Sequence, residues 1–161
     1  MDNWAAEEFG GAELGDGRLT KRLIMLASDF ADKPTASIPG ACSGWAETQA
    51  AYRFFDQASD KKQSLGWEEV LAPHMACTLA RIRQHAVVLC LQDTTELDFN
   101  GQSIEGLGPL SDEAQRGLYL HPTYVVTPER EPLGSLMPGS GHENSRTLTE
   151  TVLGSSRAPA G

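Results

Sequence analysis

Long apolar runs are scarce in this sequence. The longest, Ala86-Val-Val-Leu-Cys-Leu91, falls far short of the roughly 18 residues that a membrane-spanning helix needs, so no membrane partner is expected. Cysteine is nearly absent too. Cys42, Cys77 and Cys90 are odd in number and lack metal-ligand spacing, which argues against a disulfide framework and suits inert thiols in a reducing, cytoplasmic setting. The first residues, Met1-Asp-Asn-Trp-Ala-Ala-Glu-Glu8, carry no basic region leading into an apolar core, so a secretion signal is not expected. Positive charge is in short supply: 13 basic residues stand against 22 acidic ones, for a net charge of −9. That excludes a protein that coats nucleic acid non-specifically. It leaves room for a local basic face, because the acidic residues are spread out while the basic ones cluster.

What is present comes first as helical pattern. Residues 4 to 33 read as helical. Leu19, Leu23, Leu26 and Phe30 recur at spacings that place them on one helical stripe, and Asp16-Gly17 is a start signal just ahead of them. Arg18, Lys21 and Arg22 fall on an arc away from that stripe. They form either a solvated face or a phosphate-contacting patch near a helix start, where the dipole favours anions. Lys33-Pro-Thr-Ala-Ser-Ile-Pro-Gly-Ala-Cys-Ser-Gly44 reads as a connecting loop. A second helix follows from Trp45 to Asp56, with Ala46, Ala50 and Phe54 on one side and Gln49, Tyr52, Arg53 and Asp56 on the other. Gln and Arg suit base edges and Tyr suits phosphate, so this outer face either reads DNA or is simply wet. After a polar joint at Asp60-Lys-Lys-Gln-Ser64, a third helix is expected from Trp67 to about Arg83, with Trp67, Val70, Leu71, Met75, Leu79 and Ile82 on its apolar face. Pro73 should kink it unless the helix starts there. His74 and His85 have no ligand-spaced partners and read as surface or core residues.

The stretch Ala86-Val-Val-Leu-Cys-Leu-Gln-Asp-Thr-Thr-Glu-Leu-Asp-Phe99 then changes the pattern. An apolar run with no alternation predicts a strand buried on both faces in the middle of a sheet. It ends at Asp93. A carboxylate at such a strand end is placed for metal binding or base catalysis, or it accepts hydrogen bonds from the Thr94–Thr95 backbone in an Asx-turn. Leu97 and Phe99 lead into an Asn100-Gly101 turn. Residues 104 to 117 are loop-like, and Gly117 to Val126 reads as one strand containing His121, for which no catalytic partner is evident. Thr127 to Pro132 is a turn, and Leu133-Gly-Ser-Leu136 begins a third strand.

Several of these motifs are familiar in their order. They are Trp4-Ala5, Leu14-Gly-Asp-Gly-Arg-Leu-Thr-Lys-Arg-Leu23, Gln49-Ala-Ala-Tyr-Arg-Phe-Phe55, Leu91-Gln-Asp-Thr-Thr-Glu-Leu97 and Gly117-Leu-Tyr-Leu-His121. Together, over about residues 4 to 136, the chain resembles the N-terminal part of bacterial insertion-sequence transposases of the DDE class, the group related to transposon Tn-five. The resemblance implies an α/β (α+β) chain. Residues 1–65 would be a helical domain that binds the transposon's terminal DNA, and residues 66–136 the start of an RNase H-like catalytic core. It implies DNA contact by Arg18, Lys21, Arg22, Gln49, Tyr52 and Arg53. It matches Asp93 to the first of three catalytic carboxylates, which in the intact family hold two Mg²⁺ or Mn²⁺ ions for in-line displacement at phosphorus.

The family's second Asp and its Glu lie further along than this sequence runs, and Asp98 and Asp112 are too close to Asp93 to replace them. A catalytically inactive fragment, binding no metal ion of its own, is therefore expected. It would bind transposon end sequences, and a full-length transposase or a second copy as a homodimer are the protein partners to consider. A small metal-dependent hydrolase centred on Asp93 is the alternative. Residues 137–161 lose all periodicity and are expected to be disordered. With suitable codons, Leu136-Met-Pro-Gly-Ser-Gly-His-Glu-Asn144 read in a shifted frame gives Asp-Ala-Trp-Lys-Trp-Ala-Arg-Glu, which looks like the family's continuation. An out-of-frame tail from about residue 135 is therefore a further expectation. A sheet cut short in this way would expose apolar strand edges.

Overall fold

The computed structural model describes residues 3–56, 65–104, 106–112 and 114–137. The polar joint before Ser64 and the tail from residue 138 lie outside the described residues. The chain divides into two compact units between Ala80 and Arg81, later than the boundary at residue 65 expected from the sequence.

The first unit is helical. α1 (Trp4–Phe9) and α2 (Gly17–Asp32) replace the single helical stretch expected from residue 4 to 33. The break falls at Gly10-Gly11 and at Gly15, whose φ of 77° lies in the left-handed region that glycine tolerates. Asp16 then starts α2 as the sequence signal requires, its carboxylate accepting from the Arg18 N–H at 2.8 Å. The expected stripe is the buried one: Leu23 and Leu26 are in the core, with Leu19 and Phe30 packed against it. The Pro/Ser/Gly loop contains a one-turn helix, α3 (Ile38–Ala41), with proline in its first turn. Lys33 Nζ donates to the carbonyls of Gly40 and Ala41, which tethers the turn to the end of α2.

α4 (Trp45–Asp56) has the expected limits. Its buried face is different. Thr48, Ala51 and Phe54 face the core, while Ala46 is exposed and Ala50 only half-buried. Phe54 was the right anchor, but small alanines at 46, 50 and 51 leave the rotation of the helix ambiguous in sequence. Thr48 is tolerated on the buried face because its hydroxyl donates to the Gly44 carbonyl at 3.0 Å. The core of this unit joins Leu14, Leu23, Leu26, Cys42, Ala51, Phe54 and Leu65. Each fully buried leucine there is worth about 1.5–3 kcal/mol of apolar transfer.

α5 (Trp67–Ile82) contains Pro73 in its interior and does not start at it. The missing Pro73 N–H costs the bond to the Glu69 carbonyl, and the buried Pro73 ring recovers part of that loss by packing. His74 is half-buried: its Nδ1 lies 2.6 Å from Glu8 Oε1, and its ring stacks on Phe9 at 6.2 Å. This pair holds α5 to α1 across 66 residues of sequence, a separation at which ligand-spacing rules see nothing.

The second unit is a pair of three-stranded antiparallel sheets. β1 (Leu89–Gln92), β5 (Thr123–Val126) and β6 (Pro132–Leu136) form one, in the order β1-β5-β6. β2 (Thr95–Asp98), β3 (Gly108–Pro109) and β4 (Arg116–Leu120) form the other, in the order β2-β4-β3. The expected strand from Gly117 to Val126 is thus split at His121-Pro122, because proline has no N–H for the ladder and restrains the residue before it. Residues 104 to 117, expected as loop, contribute the two-residue β3. The Asn100-Gly101 turn and the turn before β6 are as expected. In the latter, Thr127 N–H donates to the Glu131 carbonyl and Arg130 takes a φ of 72°. The core of this unit gathers Val125, Val126 and Leu133 in the first sheet and Leu110 beside the second. Arg81 Nη1 donates to the Leu133 carbonyl at 2.8 Å.

The strand before Asp93 is a correction. It is expected in the middle of a sheet and buried on both faces. Instead β1 is an edge strand with all four residues exposed, Leu89 at 44% and Leu91 at 51%. The apolar run identified a strand correctly. It could not identify the neighbours, and among the described residues only β5 pairs with β1.

Candidate nucleic-acid interface

The residues expected to meet DNA sit on two packed helices, α2 and α4. Arg18 is in the first turn of α2, two residues after the Asp16 cap, and is exposed. Lys21 is exposed as well, opposite the Leu23–Leu26 stripe. Arg22 lies on the flank of that stripe and is half-buried. It is near enough to Asp29 to pull on that carboxyl, whose pKa is nevertheless raised above the usual value, first by burial and then by the charge of Glu47. Arg22 is therefore partly committed to its own helix, whereas Arg18 and Lys21 project into solvent.

On α4, turning the buried face to Thr48–Ala51–Phe54 leaves Gln49, Tyr52, Arg53 and Asp56 together on the opposite arc, as expected. Tyr52 and Arg53 are exposed and Gln49 is half-buried. Trp45, at the first position of the helix, falls on the same arc and is 77% exposed. The signal for it was available in sequence, since Trp45, Gln49, Tyr52, Arg53 and Asp56 repeat at helical spacing. The start of the helix is pinned on both sides. Glu47 Oε2 accepts from the Ser43 N–H at 2.7 Å, and the Gly44 carbonyl accepts from both the N–H and the hydroxyl of Thr48. Two packed helices, α2 and α4, with donors on the outer side of each, present what phosphates and base edges accept.

Asp93 belongs to the second unit. It follows β1, and its Oδ1 accepts from the N–H of the next residue, Thr94, at 2.8 Å, rather than from the Thr95 N–H as an Asx-turn would. The hydroxyl of Thr94 in turn lies 2.8 Å from His121 Nδ1, and the Tyr119 ring stacks on His121. Asp98 and Asp112 spend their carboxylates on local backbone N–H groups, those of Asn100 and Ala114. Among the described residues, no group of three His, Cys, Asp or Glu is placed to hold a metal ion. The described side chains around Asp93 do not by themselves make a site for two divalent ions. His121, which had no partner in sequence, proves to have one in Thr94.

Among the described residues, no helix is long and apolar enough to cross a membrane. Residues 1–59, from the start of the chain through α1, α2, α3 and α4, match the family model described as transposase DNA-binding. The N-terminal part of this chain is accordingly similar to transposase DNA-binding domains.

Proposed function

We propose that this chain recognises the terminal inverted repeats of a transposon, with Arg18 and Lys21 on phosphates and the outer face of α4 toward the bases. The single observation that carries the reading is the match of residues 1–59 to transposase DNA-binding. The exposed side chains of the same helices support it, because they supply cations and amide or phenol donors on one side of each helix and apolar contacts on the other. Negative charge elsewhere in the chain makes non-specific binding weak, which leaves binding to depend on this local face.

In this reading residues from about 66 are the beginning of an RNase H-like core, and Asp93 occupies the position of its first carboxylate. Catalysis of DNA transposition would need the second Asp and the Glu, which these 161 residues do not supply. Residues 1–136 by themselves would occupy transposon ends without cutting them, and in that form would block the ends or pair with a full-length transposase or with a second copy. The reading frame of the tail is testable from the gene: a shifted frame near residue 135 that continues into transposase-like sequence supports this account, and one closed by stops removes the frameshift from it.

A gel-shift with the inverted repeats flanking the native gene, at several salt concentrations, tests the binding. Sequence-selective binding weakened by Arg18→Ala or Arg53→Ala is expected. Absence of any shift at low salt overturns the reading.

A further inference from the structure

Trp45 is the most exposed of the large apolar side chains among the described residues, at 77%. An indole in water forgoes the stabilisation that burial of so large an apolar surface brings. Nothing in the fold requires it there. The opposite side of α4 supplies the core contacts through Thr48, Ala51 and Phe54, and the start of the helix is held by Ser43, Gly44, Glu47 and Thr48 without any help from the indole. The result is an aromatic group presented on a fixed backbone, with little ordering left to do on binding.

Its neighbours indicate what it meets. Gln49 is one turn further along the same arc, with Tyr52 and Arg53 two turns along. From Trp45 to Arg53 the helix rises roughly 12 Å, which is about the length of three to four base pairs. An amide, a phenol and a guanidinium in line complement base edges and phosphate. The apolar group at the N-terminal end of the line has a counterpart of its own kind in the major groove: the 5-methyl group of thymine, the one apolar feature on a base edge there.

We propose that Trp45 is a specificity-determining residue that packs on a thymine methyl group in the major groove of the bound duplex. The inference rests on the DNA-binding reading of the first unit. It adds to that reading a base preference at the position facing the start of α4.

The test begins with a duplex enriched from a random-sequence pool on the full chain. Affinities of wild type, Trp45→Ala, Trp45→Phe and Arg53→Ala are then measured on that duplex, and on versions with each thymine in turn replaced by uracil. Trp45→Ala should weaken binding about tenfold or more, as the truncation of a central aromatic anchor does, while Trp45→Phe keeps most of the affinity. One thymine-to-uracil change should weaken wild type about fourfold, the worth of one buried methyl group, and leave Trp45→Ala unaffected. Far-UV circular dichroism of Trp45→Ala should match wild type, because the side chain is outside the core. If Trp45→Ala binds like wild type while Arg53→Ala does not, DNA binding stands and the role of Trp45 is overturned. If no duplex is enriched, both fail. If Trp45→Ala alters only self-association in sedimentation, the indole belongs to a protein interface and the proposal is also overturned.

Discussion

Thr94 and His121 face each other across the gap between the two sheets, with Oγ1 and Nδ1 2.8 Å apart. The register that pairs Gln92 with Thr123 is the same one that pairs Thr95 with Leu120. Continued through the gap, it places Thr94 against His121 and Asp93 against Pro122. The two sheets are therefore one long antiparallel hairpin, interrupted where Pro122 cannot donate and Asp93 takes the Thr94 N–H for itself. The side-chain bond replaces the ladder at the break. Thr94→Val, which keeps the shape and removes the hydroxyl, should cost about 0.5–1 kcal/mol, toward the low end for a hydrogen bond because the pair is exposed. A double-mutant cycle with His121→Ala in urea unfolding checks it. Additive losses would mean that the bond does not couple the sheets.

That gap also shows where the sequence was readable and where it was not. The limits of α4, the Asp16 start and the Leu19–Phe30 stripe follow from local chemistry, and local chemistry is written in order along the chain. The central position expected for the strand before Asp93 was inferred from its apolar content, but sheet order is set by which strands arrive beside it, and β1 has β5 alone among the described residues. The Glu8–His74 and Thr94–His121 pairs were invisible for the same reason, being 66 and 27 residues apart. For the candidate site, the donor face of α4 was legible from periodicity. Its rotation about the core was not, because alanine at 46, 50 and 51 packs acceptably either way.

Gly117 is the tightest position of the second sheet. It lies on the central strand β4, between Asp98 of β2 and Gly108 of β3. A Cβ there would come within 2.1 Å of the Leu97 carbonyl oxygen, and backbone on a paired strand cannot move aside without breaking the ladder. Gly117→Ala should destabilise this sheet by about 2 kcal/mol or more, as overpacking does. Hydrogen exchange is the suitable measurement. Protection should fall at residues 95–98 and 116–120 and persist in the amides of α2 and α4.

Two carboxyl groups should make stability depend on pH in opposite senses. The pKa of Asp29 is raised, by burial first and by Glu47 next. Its contribution is complete below its unfolded value, about 3.9, and is lost as pH rises through the folded value. The pKa of Glu96 is lowered, first by the Ser111 hydroxyl and then by the Ser111 N–H. Its contribution is present above its unfolded value and is lost as pH falls through the folded one. Asp29→Asn should therefore stabilise the helical unit at neutral pH, with the gain vanishing below about pH 4. Ser111→Ala should do the reverse in the second unit, with its deficit disappearing in acid. Urea unfolding of each variant from acid to neutral pH reads both. An Asp29→Asn that is destabilising at every pH would show that the carboxylate has a bonding role outweighing its burial.

The cations of α2 and the amide of α4 should separate by their salt dependence. A phosphate contact releases counterions, so each one contributes about 0.9 to the slope of log K against log salt on duplex DNA. Arg18 and Lys21 are exposed and point away from the core, so alanine at either should reduce the slope by about that amount while weakening all sequences alike. Arg22 is half-buried and shares its field with Asp29, so its removal should change the slope less than either of the other two. Gln49 carries no charge. Gln49→Ala should leave the slope unchanged and narrow the gap between the enriched duplex and a scrambled one, because a lost bidentate amide–base contact is worth about 1–3 kcal/mol of discrimination. Equal slope changes for Arg18, Arg22 and Gln49 would mean that the helices do not meet DNA in the orientation their exposed faces present.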